Sequence, residues 1–200
     1  VKFVLVVILI GKNQSKLRKP DMKILGIGNA IVDVICKVED DFITKNELTK
    51  STMKLIFDES EFKKLLSNLK IEKTVSGGSV ANSIVGLSQL GNEVGFIGKV
   101  NDDELGSKYE DGLKQENVKY FYSKKKEDLP TGTCLILVTP DSERTMCTFL
   151  GTAGKINEND VNSDAIKQSE IILLEGYLWD EGEPKKAFEK AILSANKVAM

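Results

Sequence analysis

Apolar and polar positions along this chain follow two rhythms. Met22–Gly28 and Ile31–Val38 are apolar and rich in β-branched side chains, which predicts two strands. Phe62, Leu65, Leu66 and Leu69 recur at i, i+3, i+4 and i+7, which predicts an amphipathic helix over 59–70. Asp58, with Glu61 three residues later, supplies its capping pattern. Val80, Ile84, Leu87 and Leu90 mark a second helix over 79–90, ended by Gly91. A strand at Val94–Val100, a helix at Asp103–Gln115 capped by Asp102 and a short strand at Val118–Tyr122 follow. Thr133–Val138 and Thr145–Leu150 flank a Pro140-Asp141 turn, which predicts a hairpin. Ile171–Leu174 reads as a short strand and Pro184–Asn196 as a helix, after which Lys197 to Met200 open like a further strand. The alternation predicts an α/β fold: a mostly parallel sheet flanked by helices, with a small antiparallel element.

Composition narrows the chemistry. The chain has 200 residues, 41% hydrophobic and 29% charged, enough to bury a real core. Its net charge of −2 and scattered lysines give no nucleic-acid surface, and Lys124-Lys125-Lys126 reads as a solvated loop. With no histidine, Ser-His-Asp, Cys-His and histidine–zinc chemistry are excluded. Cys36, Cys134 and Cys147 form no CxxC pair and fit buried thiols in a reduced cytoplasmic protein. Phe3–Ile10 is too short to span a bilayer and leads into a basic, loop-like stretch without a cleavage site, so no membrane partner is expected. Residues 1–21 are read as a non-native or disordered extension, with a membrane-targeting segment or a structural strand as the alternatives, and 22–200 as the folded unit.

Two segments carry candidate chemistry. In Gly28-Asn29-Ala30-Ile31-Val32-Asp33, an extended chain points Asn29 and Asp33 the same way out of an apolar run. A carboxylate accepts two hydroxyl hydrogens and an amide both donates and accepts, which suits a polyol. An exposed edge-strand Asp with a turn Asn fits the same letters. Gly26-x-Gly28 also resembles the start of a dinucleotide fingerprint, but Ile31 stands where the third glycine belongs and a strand follows, not a helix. In the second segment, Gly77-Gly78 opens a helix, leaving backbone N–H groups uncovered for a ligand oxygen, and Asn82 lies in the first turn. A plain glycine-rich turn with Ser79 as N-cap is the other reading.

The order Gly77-Gly78-Ser79-Val80-Ala81-Asn82, Leu90-Gly91, Gly95-x-x-Gly98-Lys99-Val100 and Asp102-Asp103-x-x-Gly106 resembles the N-terminal signature of the ribokinase-type (PfkB) carbohydrate and nucleoside kinases. Asn101 stands where that family usually has glycine. With Gly28 to Asp33 upstream, the resemblance runs from Met22 to at least Trp179, and Gly176-Tyr177-Leu178-Trp179-Asp180 is most similar to the adenosine-kinase branch. It implies a ribokinase-like fold with a β lid formed by strands near 31–38 and 133–150. It implies that Asn29, Asp33, Gly77, Gly78 and Asn82 hold substrate hydroxyls, joined by Glu175 at the end of its strand. For Glu175 a solvated loop Glu is the alternative; Arg144, at the hairpin turn, is either a ligand contact in the closed state or a surface Arg. Phe149, Tyr177 and Trp179 are either core or stacking rings for a purine.

The resemblance also implies ATP and Mg²⁺ for the full-length kinase, a small-molecule sugar or nucleoside as partner, and, as in some relatives, a homodimer through the lid. The family's Gly-Ala-Gly-Asp motif, which holds the catalytic Asp, is not in these 200 residues, nor is a P-loop. Asn101-Asp102-Asp103-Glu104 matches the Asn-x-x-Glu letters in the wrong segment. The expectation is therefore the substrate-binding half of a kinase truncated at its C-terminus, with the catalytic Asp beyond Met200 and no metal or ATP held by this half. A non-catalytic sugar- or nucleoside-binding remnant is the alternative.

Overall fold

The fold is taken from a computed structural model that describes residues 5–9, 22–179 and 182–199. In chain order the elements are β1 (Leu5–Leu9), β2 (Ile24–Ile27), β3 (Ile31–Lys37), α1 (Asp40–Lys45), β4 (Met53–Ile56), α2 (Glu59–Ser67) and β5 (Ile71–Gly77). There follow α3 (Ser79–Gln89), β6 (Val94–Ile97), α4 (Glu104–Gln115), β7 (Lys119–Tyr120), β8 (Gly132–Val138), β9 (Arg144–Phe149), α5 (Ser163–Gln168), β10 (Ile171–Glu175) and α6 (Glu183–Ala199).

The main sheet has the order β1-β10-β2-β6-β7. β10, β2, β6 and β7 run parallel, and β1 adds antiparallel to β10, with Leu5 opposite Glu175 and Leu9 opposite Ile171. Five residues of the segment set apart as an extension thus form an edge strand; residues 1–4 and 10–21 lie outside those described. β2 and β6 are buried throughout, as strands covered on both faces must be. On one face, Phe96 packs with Ile84 of α3 and Tyr109 and Leu113 of α4. On the other, Leu25, Ile27 and Ile172 pack with Ala165 and Ile166 of α5 and Phe188 of α6. A Cβ on Gly26 would sit 2.6 Å from Ile84 Cγ1, and one on Gly28 2.9 Å from Val80 Cβ. The Gly26-x-Gly28 pattern is thus explained by the close seating of α3 on β2.

The second sheet has the order β4-β9-β8-β3-β5 and contains the strands expected to form the lid. Its pairing is mixed: β8–β9 and β3–β5 are antiparallel, β3–β8 and β4–β9 parallel. Val32, Val34, Leu135, Leu137, Cys147 and Phe149 fill one face as core, with Phe149 stacked against Phe62 of α2 at 5.6 Å. The register puts Asp33, Cys134, Thr148 and Val75 side by side on the opposite face.

Several sequence expectations shift. Asp103, not Asp102, caps α4, accepting from Gly106 N at 2.7 Å. α6 stays helical through Ala199, so Lys197–Ala199 do not open a strand; nothing in Lys197-Val198-Ala199 breaks a helix once it is running. Lys124 is tied to Ser107 at 2.8 Å and Glu110 at 3.3 Å, so the lysine run is only partly a solvated loop. All three cysteines are free and buried. No helix among the described residues is long and apolar enough to cross a membrane.

Candidate active site at the crossing between the two sheets

Both β6 and β7 lie to one side of β2, whereas β10 lies to the other. In a doubly wound sheet this reversal opens a crevice at the carboxyl ends of the strands, here β2 and β10. The chain leaves β2 through Gly28-Asn29-Ala30 to enter the lid, and returns from β5 through Gly77-Gly78 to begin α3. Four of the expected site residues meet at these two crossings. A Cβ on Gly77 would lie 2.3 Å from Asp33 Oδ2, and one on Gly78 2.3 Å from the Asn29 carbonyl oxygen. Only glycines admit these approaches, and Gly78 also has φ +94°.

Asp33 is half-buried between lid strands, and burial pushes its carboxyl up to about 6 from an ordinary 3.8. Asn29 stands in the link before β3, so it is not on the strand that carries Asp33. Its Oδ1 is buried without a hydrogen-bond partner, an acceptor awaiting a donor.

Gly78 is the N-cap of α3 and provides no capping side chain, so Ser79 is the first helical residue and not the cap. The Ser79 hydroxyl instead donates to Glu175 Oε2, which brings the carboxylate at the end of β10 to the mouth of α3. The positive end of the helix favours that charge. Asn82 completes the first turn through its backbone N–H to Gly78 O at 2.8 Å. Its exposed side chain lines a neighbouring groove with Val75, Ser76 and Tyr109, apart from the Asp33–Glu175 cluster.

Further along the same carboxyl edge, a cavity of about 640 Å³ is lined by Lys99, Leu129, Leu150, Thr152, Asn157 and Tyr177. Its floor is a buried ion network that sequence reasoning missed. Lys99 Nζ lies 3.1 Å from both Glu127 Oε1 and Asp160 Oδ2, and the Tyr122 hydroxyl donates to Glu127 at 3.1 Å. Trp179 is 45% exposed, with the Lys185 ammonium 5.8 Å over its ring, and Arg144 is exposed on the lid. Among the described residues no group of acidic or cysteine side chains is placed to hold a metal ion. The side chains gathered at the crossing, Asn29, Asp33 and Glu175, offer hydrogen-bond acceptors.

A doubly wound parallel sheet joined to a second, mixed sheet defines a ribokinase-like fold. Residues 24–199 match the sequence pattern of the pfkB family carbohydrate kinase, and the chain belongs to that family. It is similar to the adenosine kinase from Sinorhizobium meliloti (TM-score 0.81, 34% identity, covering 89% of this chain and 54% of that one). It is equally similar to a probable sugar kinase protein from Rhizobium etli CFN 42 (TM-score 0.82, 33% identity, 90% and 54%). In sequence it resembles the 5-dehydro-2-deoxygluconokinase of Mesomycoplasma hyopneumoniae strain 7448, 27% identical over 161 residues, which are 80% of this chain and 46% of that protein. The chain thus spans about half the length of these relatives.

Proposed function

We propose that this chain is the acceptor-binding half of an ATP- and Mg²⁺-dependent kinase that phosphorylates a hydroxyl of a sugar or nucleoside. Asn29, Asp33, Gly77, Gly78 and Glu175 hold the acceptor, whereas the Asn82 side chain faces the neighbouring groove. The observation that carries this reading is the surplus of hydrogen-bond acceptors: the orphaned Asn29 Oδ1, the Asp33 carboxylate and the Glu175 carboxylate stand around one glycine turn. Such a set calls for a ligand rich in O–H donors. A sugar acid brings hydroxyl donors too, but its carboxylate adds like charge beside Asp33 and Glu175, so a neutral sugar or nucleoside fits better. Tyr177, lining the cavity on the same edge, supports a nucleoside, since that volume accommodates a base.

The lid excludes water from the acceptor. The three free, buried thiols support a cytoplasmic setting, and the partly exposed Met53 and Met146 of the lid support a lid-to-lid homodimer. Because the Gly-Ala-Gly-Asp motif is not among these residues, the 200-residue chain alone binds without turnover, which is also what a non-catalytic remnant does. Calorimetric titration with adenosine, ribose and gluconate, beside a coupled ADP-release assay, tests this. Binding of adenosine or ribose but not gluconate, with no ADP release, is expected. Gluconate binding as tight as ribose, or acceptor-dependent ADP release, refutes it.

A further inference from the structure

Tyr109 lies in the middle of α4, fully buried, with its ring 6.2 Å from Phe96 and 6.1 Å from Tyr120. Nothing in the packing of an apolar helix face requires a hydroxyl, and a phenylalanine would fill the same space. The hydroxyl donates to the carbonyl oxygen of Gly77 at 3.3 Å. It keeps its proton, because burial and the nearby Asp33 carboxylate hold it well above the ordinary tyrosine range.

A second tie runs beside the first. Ser76 Oγ donates to the Tyr109 carbonyl at 3.1 Å, and a Cβ on Gly112 would lie 2.2 Å from Ser76 Oγ. α4 is thus drawn tightly onto the last residues of β5. Gly77 pairs with Ile31 of β3, but neither Gly77 nor Gly78 has a side chain to pin the peptide between them, and glycine backbone is otherwise free to turn. In a trans peptide the C=O and N–H point in opposite directions, and the described chain has no cis peptide. A phenol that fixes the Gly77 carbonyl toward α4 therefore fixes the Gly78 N–H away from it.

We propose that Tyr109 is a positioning residue, which through the Gly77 carbonyl aims the Gly78 N–H at an oxygen of the acceptor. This rests on the reading of the site as an acceptor site. The charged and titratable groups around the turn are Asp33 on β3, Cys134 on β8, Glu175 at the end of β10 and Tyr109 itself. None of them substitutes for the donor that the phenol supplies to Gly77.

The test compares the 200-residue chain with Tyr109→Phe and Ser76→Ala. Adenosine and ribose are the probes, with calorimetry for affinity and ¹H–¹⁵N correlation spectra for the Gly78 amide. In the wild type, saturating ligand shifts the Gly78 amide. In Tyr109→Phe, affinity falls about tenfold, the worth of one buried hydrogen bond, and that shift collapses. Ser76→Ala leaves the Gly78 shift in place, because it loosens α4 without releasing the Gly77 carbonyl. Unchanged affinity in Tyr109→Phe, or a tenfold loss with the Gly78 response intact, overturns the proposal. If the Phe variant fails to fold, the wild type decides: ligand that binds without moving the Gly78 amide refutes it. Absence of any binding by the wild type instead removes the acceptor-site reading, and the role of Tyr109 with it.

Discussion

Asp33 is a carboxylate held where the fold would prefer a neutral group, so Asp33→Asn should stabilise the protein. The amide matches the shape of the protonated acid. The distance between an ordinary 3.8 and about 6 corresponds to about 3 kcal/mol of penalty on the ionised form. Screening at this half-buried position trims the expected gain to about 1.5–3 kcal/mol. The sign follows from proton counts. Between pH 4 and 6 the unfolded chain has already released this proton while the folded chain keeps it, so stability falls as pH rises through that window. The penalty is fully present above pH 6 and absent below about pH 4. Urea unfolding of both proteins from pH 4 to pH 8 measures it. The curves should nearly coincide at pH 4 and separate progressively up to pH 6–7, with the Asn variant the more stable. A gap independent of pH, or a variant less stable at pH 7, would refute the reasoning. The same substitution should weaken adenosine binding, since it removes the charge and replaces one of the two acceptor oxygens with an N–H donor.

Two other substitutions test neighbouring parts of the argument. Gly77→Ala places a methyl carbon 2.3 Å from Asp33 Oδ2 and must displace the carboxylate; acceptor affinity should drop more than about tenfold in calorimetry, a larger effect than on the melting temperature. Lys99→Met leaves Glu127 and Asp160 with only the more exposed Lys125, at 3.6 and 3.8 Å, and should cost about 3 kcal/mol, the low end for a broken buried pair, in urea unfolding at pH 7.

The elements legible in the sequence are those whose pattern is local and long enough to repeat. Phe62 and Leu65 with a capping Asp58 foretell α2, and the apolar runs foretell β2, β3 and β10. β5 escaped notice because Ile-Glu-Lys-Thr-Val-Ser-Gly begins exposed and carries no apolar run, its strand state being imposed by pairing with β3. Helices α1 and α5, six residues each, are too short to display a helical period. Asn29, Asp33, Gly77 and Gly78 were readable because each stands within a few residues of its structural signal. The Ser79–Glu175 bond joins residues 96 apart and the Tyr109–Gly77 bond residues 32 apart. Neither has a local signature, because both depend on how α3 and α4 are seated on the sheets. Asn82 shows the converse: its position in the first turn is as expected, but helical rotation sends its side chain toward the groove.

The proposed acceptor cluster is divided between the two sheets. Asp33 and Gly77 belong to the second sheet, Glu175 to the main sheet, and Asn29 and Gly78 to the short passages of chain between them. Any turning of one sheet against the other would have to be taken up in these passages. Every degree of rotation therefore changes the gap that the acceptor must bridge, and the tightness of binding becomes a gauge of the lid angle. A substitution at a distance, in the lid core around Phe62 and Phe149, can then alter affinity without touching a ligand-facing atom, simply by changing where the lid comes to rest.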